Sequence, residues 1–127
     1  MITTQYLSIV EVLELHRRTI EKHGGKAGVR DMGLLESALL RCQSGYYSSL
    51  SEQAASLLQS LSMNHCFVDG NKRVALLATV VFFKINNYDL KCSNKDIVSL
   101  IIDKVIIAKI DVQEISIWFN KFLVKRK

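Results

Sequence analysis

The segment Val74 to Phe83 is apolar on every side: Val74-Ala75-Leu76-Leu77-Ala78-Thr79-Val80-Val81-Phe82-Phe83. A helix of that kind has no face to offer water, so it belongs at the centre of a bundle. Its β-branched residues would also suit a strand, but the run continues to Ile85, and that length favours helix. Lys84 interrupts it and Asn86-Asn87 ends it, leaving it too short to cross a bilayer. Proline is absent from the chain. With the other apolar-periodic stretches, that predicts an all-α fold.

The flanking segments carry helix start signals. Ser8 and Glu11 form a Ser-x-x-Glu capping box, in which each side chain satisfies an otherwise unpaired backbone donor. The helix they start has Ile9, Val10, Leu13 and Ile20 as its expected apolar face, and Gly24-Gly25 stops it. Asp31 is a candidate N-cap for a helix from Leu34 to about Arg41. Ser44 to Ser51, centred on Gly45-Tyr46-Tyr47, reads as a loop. Ser49 with Glu52 then opens a helix through Ala54, Ala55, Leu57, Leu58 and Leu61 to Asn64. Beyond the central helix, Ser93 with Asp96 starts another, to about Ala108. Asp111 with Glu114 starts the last, with Ile115, Trp118, Phe119 and Phe122 on one face. The tail Lys125-Arg126-Lys127 would complement its negative C-terminal end. The expectation is a compact bundle of six helices in a single domain, 1–127, without repeats or linkers.

Composition bounds the function. Apolar residues make up 49% and charged residues 23%, an ordinary globular balance. Lys and Arg number 17 against 12 Asp and Glu, a net charge of +5, which permits an acidic partner: nucleotide, nucleic acid or acidic protein. No interleaved basic and aromatic stripe marks an RNA-binding surface, so direct nucleic-acid binding is not expected. Cys42, Cys66 and Cys92 are odd in number and widely spaced, which reads as reduced thiols. The start, Met1 to Tyr6, has no basic region or cleavable apolar run. The expected location is therefore cytoplasmic.

The chemistry is concentrated between the third and fourth helices, in His65-Cys66-Phe67-Val68-Asp69-Gly70-Asn71-Lys72-Arg73. Gly70 lets the backbone turn sharply, and a helix starts directly after it. The first amides of a helix lack internal partners, and the dipole there is positive, so that end binds phosphate. Asn71, Lys72 and Arg73 add donors. Lys72 acts as a point charge, whereas Arg73 can grip two oxygens. Asp69 is a hard oxygen ligand of the kind Mg²⁺ takes alongside phosphate. His65 can accept a proton from a hydroxyl near neutral pH. Phe67 reads as the anchor of the loop in the core.

Simpler readings stand beside these. A histidine at a helix end also serves as a cap or a solvated side chain, and Asp-Gly-Asn also makes a plain turn. Cations at a helix N-terminus oppose the dipole, however, and call for a compensating anion. Cys66 reads as a small buried thiol rather than a nucleophile. Asp31 reads as an N-cap, although Arg30-Asp31 and the Tyr46-Tyr47 loop also lie where a partner could touch.

The motif resembles the signature of the Fic/Doc superfamily. The general Fic pattern is H-P-F-x-(D/E)-G-N-G-R-x-x-R, and the Doc pattern is H-x-F-x-(D/N)-(A/G)-N-K-R. His65 to Arg73 matches the second in full. Gly24-Gly25 and the stretch Gly28-Val29-Arg30-Asp31 through Gly33-Leu34-Leu35-Glu36-Ser37-Ala38-Leu39 also resemble the N-terminal half of Doc-like proteins. Cys66 stands in place of proline, Lys72 in place of the glycine of AMP-transferring members, and Leu76 in place of their second arginine.

The resemblance implies a Fic/Doc-like bundle, with the phosphate-binding loop at the N-terminus of the buried central helix. It implies a toxin of a toxin–antitoxin pair that transfers the γ-phosphate of ATP, with Mg²⁺, to a threonine of elongation factor Tu and stops translation. His65 would be the general base, Asp69 the Mg²⁺ ligand, and Gly70, Asn71, Lys72 and Arg73 the phosphate cradle, with Phe67 structural. The partner would be a Phd-like antitoxin with an acidic C-terminal segment, since the chain has no (S/T)-x-x-x-E-(G/N) inhibitory helix of its own. The alternatives are AMP transfer to a protein hydroxyl and a catalytically silent member that binds the antitoxin.

Overall fold

The computed structural model describes residues 3–126. Its elements in chain order are α1 (Ile9–His23), α2 (Met32–Cys42), α3 (Leu50–Met63), α4 (Asn71–Ile85), β1 (Tyr88–Leu90), α5 (Asn94–Ser99), a π-helical segment (Leu100–Ile107), α6 (Val112–Asn120) and β2 (Leu123–Lys125). The six α-helices make an all-α bundle with one small two-stranded sheet at its edge. No helix among the described residues is long and apolar enough to cross a membrane.

The caps form where the sequence places them. Ser8 with Glu11 and Ser49 with Glu52 make complete capping boxes. Asp31, Ser93 and Asp111 each accept the amide three residues on, from Leu34 in α2, Asp96 in α5 and Glu114 in α6. With Asp31 as cap, α2 starts at Met32, two residues before the expected Leu34.

α3 and α4 share the centre. α3 packs against α2, α4, α6 and the π-helical segment, and it buries Ala54, Ala55, Leu57, Leu58 and Leu61 together with Ser56 and Ser60. Its small residues let neighbouring helices approach closely. α4 buries Val74, Ala75, Ala78, Thr79, Phe82 and Phe83, while Leu76, Leu77, Val80 and Val81 are half-buried. The Phe83 ring meets the edge of Phe119 from α6 at 5.2 Å. Each fully buried Leu or Phe contributes about 1.5–3 kcal/mol, so the α3–α4 pair is the main anchor for the loop that joins them.

Four expectations are corrected. On α1, Ile9 and Leu13 pack against the core as expected, but the buried residues are Val12, His16 and Thr19, and Val10 points outward at 74% exposure. Two polar side chains can be buried there because both are bonded. Thr19 Oγ1 donates to Leu15 O at 2.9 Å, and His16 Nε2 lies 2.8 Å from Asp69 O. The stretch after Asn87 is a strand, paired antiparallel with β2 through Tyr88–Lys125, Asp89–Val124 and Leu90–Leu123. The basic tail therefore does not sit on the end of α6. The chain turns back after Asn120, Lys125 joins β2, and Arg126 pairs with Asp89 at 3.6 Å. Lys127, like Met1 and Ile2, lies outside the described residues. Finally, the helix begun by Ser93 changes its winding at Leu100, where Ala108 N bonds back to Asp103 O.

Candidate active site

The loop between α3 and α4 is held from three sides. From the N-terminal side, the 24–31 connection is stitched along it. Arg30 N and Asp31 N both donate to Cys66 O, at 2.8 and 3.0 Å, and Val68 N donates to Gly28 O at 3.1 Å. The Arg30 guanidinium donates to His65 O at 2.6 Å and to Asn64 O at 3.1 Å. Arg30 thus helps to hold the loop. Asp31 caps α2.

From below, Phe67 is 1% exposed and anchors the loop as its pattern suggested. Its ring stacks on His16 of α1, centroids 3.8 Å apart and planes 11° apart. His16 Nε2 donates to Asp69 O, since a carbonyl can only accept. From the α4 side, Asn71 grips the Phe67 backbone at both ends. Its Oδ1 accepts Phe67 N and its Nδ2 donates to Phe67 O, each at 3.0 Å. The Asn71 side chain therefore holds the loop, and its backbone amide and second Nδ2 hydrogen stay available to a ligand.

These restraints leave the reactive groups outside. His65 is exposed and sits at φ +51°, a left-handed position for a side-chain-bearing residue, directly after the Asn64 cap of α3. Such strain marks positions where the surroundings over-determine the backbone. Asp69 is exposed too, but its direction is fixed: Oδ1 accepts Gly70 N at 2.9 Å and Oδ2 accepts Lys26 N at 3.2 Å. Each carboxylate oxygen keeps a further lone pair for a cation. Gly70 adopts φ +78° and leads into α4, whose first amides have no side-chain cap. Lys72 and Arg73 follow, both exposed.

All of these groups meet at one open cleft of about 790 Å³, which His65, Asp69, Gly70, Asn71, Lys72 and Arg73 line together. The lining also includes Ser62 and Met63 from α3, with Ile106 and Lys109 from the π-helical segment and the turn after it. Gly25, on the α1 side, allows a close approach. A Cβ there would stand 2.8 Å from Asp69 Oδ2, and its φ is +109°. With Lys72, Arg73 and Lys109 against Asp69, the cleft is net positive. Leu76 lies off this cleft, in a smaller cavity with Arg18 and Val98. Among the described residues no group of three His, Cys, Asp or Glu side chains could hold a metal alone. Asp69 can contribute one ligand to a cation that brings others with it.

Cys66 is fully buried, and burial, then the charge of Asp31, pushes its thiol above the ordinary range. It is inert in this setting. Tyr46 is 84% exposed, whereas Tyr47 is buried with its hydroxyl accepting from Arg41 at 2.9 Å, so only Tyr46 of that pair offers a free surface. Sequence reasoning missed His16, the loop-holding role of Arg30, and the part of the lining that Ile106 and Lys109 supply. Only His16 carried a local signal, its spacing with Val12 and Thr19.

Arranged this way, the cleft can hold a polyphosphate against the start of α4 with a proton acceptor at its rim. Comparisons with known proteins place the chain in a family. Residues 6–83 match the model of the Fic/DOC family. The chain is 42% identical over 92 residues to a protein named Toxin Doc from Mycolicibacterium smegmatis, covering 68% of each. It is 31% identical over 86 residues to the protein named Protein kinase doc of Escherichia phage P1, covering 65% of this chain and 68% of that one. The chain belongs to the Fic/Doc family, and within it to the Doc branch.

Proposed function

We propose that this chain is a Doc-type toxin that transfers the γ-phosphate of ATP to a protein hydroxyl, with a threonine of elongation factor Tu as the expected acceptor. The observation that carries the reading is one shared cleft: the exposed His65 imidazole, the Asp69 carboxylate and the uncapped, cation-bearing start of α4 all line it. The likeness to a relative named a protein kinase supports the choice of phosphoryl transfer.

In this reading the amides of Asn71, Lys72 and Arg73 at the start of α4 receive phosphate oxygens, with the Lys72 and Arg73 side chains adding charge. Asp69 fits Mg²⁺ that arrives with its nucleotide, because that ion takes one or two carboxylates and fills its shell with phosphate and water. When bound, Mg²⁺ neutralises charge on the phosphate oxygens. A ring nitrogen of His65 takes the proton of the acceptor hydroxyl. The hydroxyl oxygen bonds to the γ-phosphorus, the bond from that phosphorus to the bridging oxygen breaks, and ADP leaves. Positioning and charge neutralisation do most of the work in such a transfer. Leu76, standing where AMP-transferring members carry a second arginine, adds no guanidinium beside Arg73, which favours γ-transfer over AMP transfer. Restraint would come from a separate antitoxin with an acidic segment, for which the net charge of +5 is suited.

The test is growth arrest on expression. His65→Ala and Asp69→Ala should each abolish arrest; the first should melt at the parent temperature, since its side chain is exposed, and the second slightly lower, since it loses the bonds from Gly70 N and Lys26 N while staying folded. Either variant arresting growth like the parent would contradict the assigned roles.

A further inference from the structure

The family motif accounts for part of the cleft lining, and a segment far from it in sequence adds a cation of its own. Lys109 and Ile106 line the same cleft as Lys72 and Arg73 at the start of α4. It is exposed, and among the described residues no carboxylate pairs with it.

Its backbone is unusual. Lys109 sits at φ +53°, where glycine or asparagine would be less strained. The surrounding bonds impose that conformation. Ala108 N donates to Asp103 O and Ile110 N to Lys104 O, both at 3.0 Å, while Gln59 of α3 donates to Ile110 O at 3.4 Å. The turn is thus tied to α3. The π-helical winding that precedes it is a feature frequent at functional sites. A lysine kept at a left-handed position, unpaired and at a cleft that is already net positive, raises repulsion with Lys72 and Arg73 unless an anion lies between them.

We infer that Lys109 is a positioning residue for the polyphosphate, which is gripped by both the start of α4 and the turn after the π-helical segment. This rests on the nucleotide reading of the cleft. The ligand class is a di- or triphosphate, long enough to be touched by both elements.

The experiment measures binding of Mg²⁺–ATP and of inorganic tripolyphosphate by calorimetry, using the full chain in a His65→Ala background so that nothing turns over. Lys109→Gly and Lys109→Asn remove the charge but suit the backbone. Both should weaken the two ligands about tenfold, the scale of one charge-assisted contact. Lys109→Arg should stay within about twofold of the parent. The melting temperature of Lys109→Gly should be no lower than the parent's, so that weaker binding cannot be blamed on a damaged fold. Lys109→Gly binding like the parent, or Lys109→Arg as weak as Lys109→Gly, overturns the inference alone. A parent chain that binds neither ligand overturns the nucleotide reading and this inference with it.

Discussion

The ring of His16 lies flat on Phe67 at 3.8 Å while its Nε2 donates to the carbonyl of Asp69 at 2.8 Å. One α1 side chain thus fixes both the anchor of the motif loop and the residue that carries its carboxylate. His16→Ala should remove the stack and leave the Asp69 carbonyl without its partner. The expected loss of stability is about 2–4 kcal/mol. Transfer activity should fall more than tenfold, because small misplacements of reacting groups are costly. Thermal melting and the transfer rate, measured on the same preparation, check this. Full activity in a His16→Ala chain would mean that the loop holds its shape without α1.

Gly25 tests the direction of Asp69. Gly25→Ala adds a Cβ 2.8 Å from Asp69 Oδ2, whereas Gly24→Ala meets nothing within 4 Å. Both positions have positive φ, +109° and +83°, so both variants carry backbone strain of about 1–3 kcal/mol. Only Gly25→Ala should also raise the Mg²⁺ concentration needed for half-maximal activity. Equal Mg²⁺ dependence in the two variants would show that the clash does not move the carboxylate.

Cys42 gives a pH prediction. It is 4% exposed, and burial pushes its thiol from 9.0 up to about 12. Between those values the unfolded chain loses this proton and the folded chain keeps it, so the unfolded state binds fewer protons and stability falls as pH rises. The slope from this group is at most about 1.4 kcal/mol per pH unit. Denaturant melts across that alkaline range check it. Cys42→Ala should flatten the decline, and a parent and variant with the same alkaline slope would contradict it.

Much of this architecture is legible in the chain because its helix starts are local events. A Ser or Asp and the residue three positions later decide a cap, and Ser8–Glu11, Ser49–Glu52, Asp31, Ser93 and Asp111 all behave that way. The motif loop is legible because its chemistry is contiguous. What sequence reading missed depends on distant contacts. Tyr88–Leu90 becomes a strand only because Leu123–Lys125 returns to pair with it. The inner face of α1 was incomplete because His16 and Thr19 are buried on the strength of hydrogen bonds, which hydrophobic periodicity does not register. Asn71 also bonds both backbone groups of Phe67 four residues away, a loop-holding role that its place in the motif did not reveal. Lys109 came to the cleft through the π-helical segment, whose winding no local pattern announced.

The most direct test of the account is a paired labelling assay. Purified protein is incubated with Mg²⁺, cell extract and ATP labelled at either the α or the γ phosphate, beside a His65→Ala control. A γ-labelled band at the size of elongation factor Tu, absent with His65→Ala and absent with the α label, is the predicted result. An α-labelled band would contradict it and make the chain an AMP transferase despite Lys72 and Leu76.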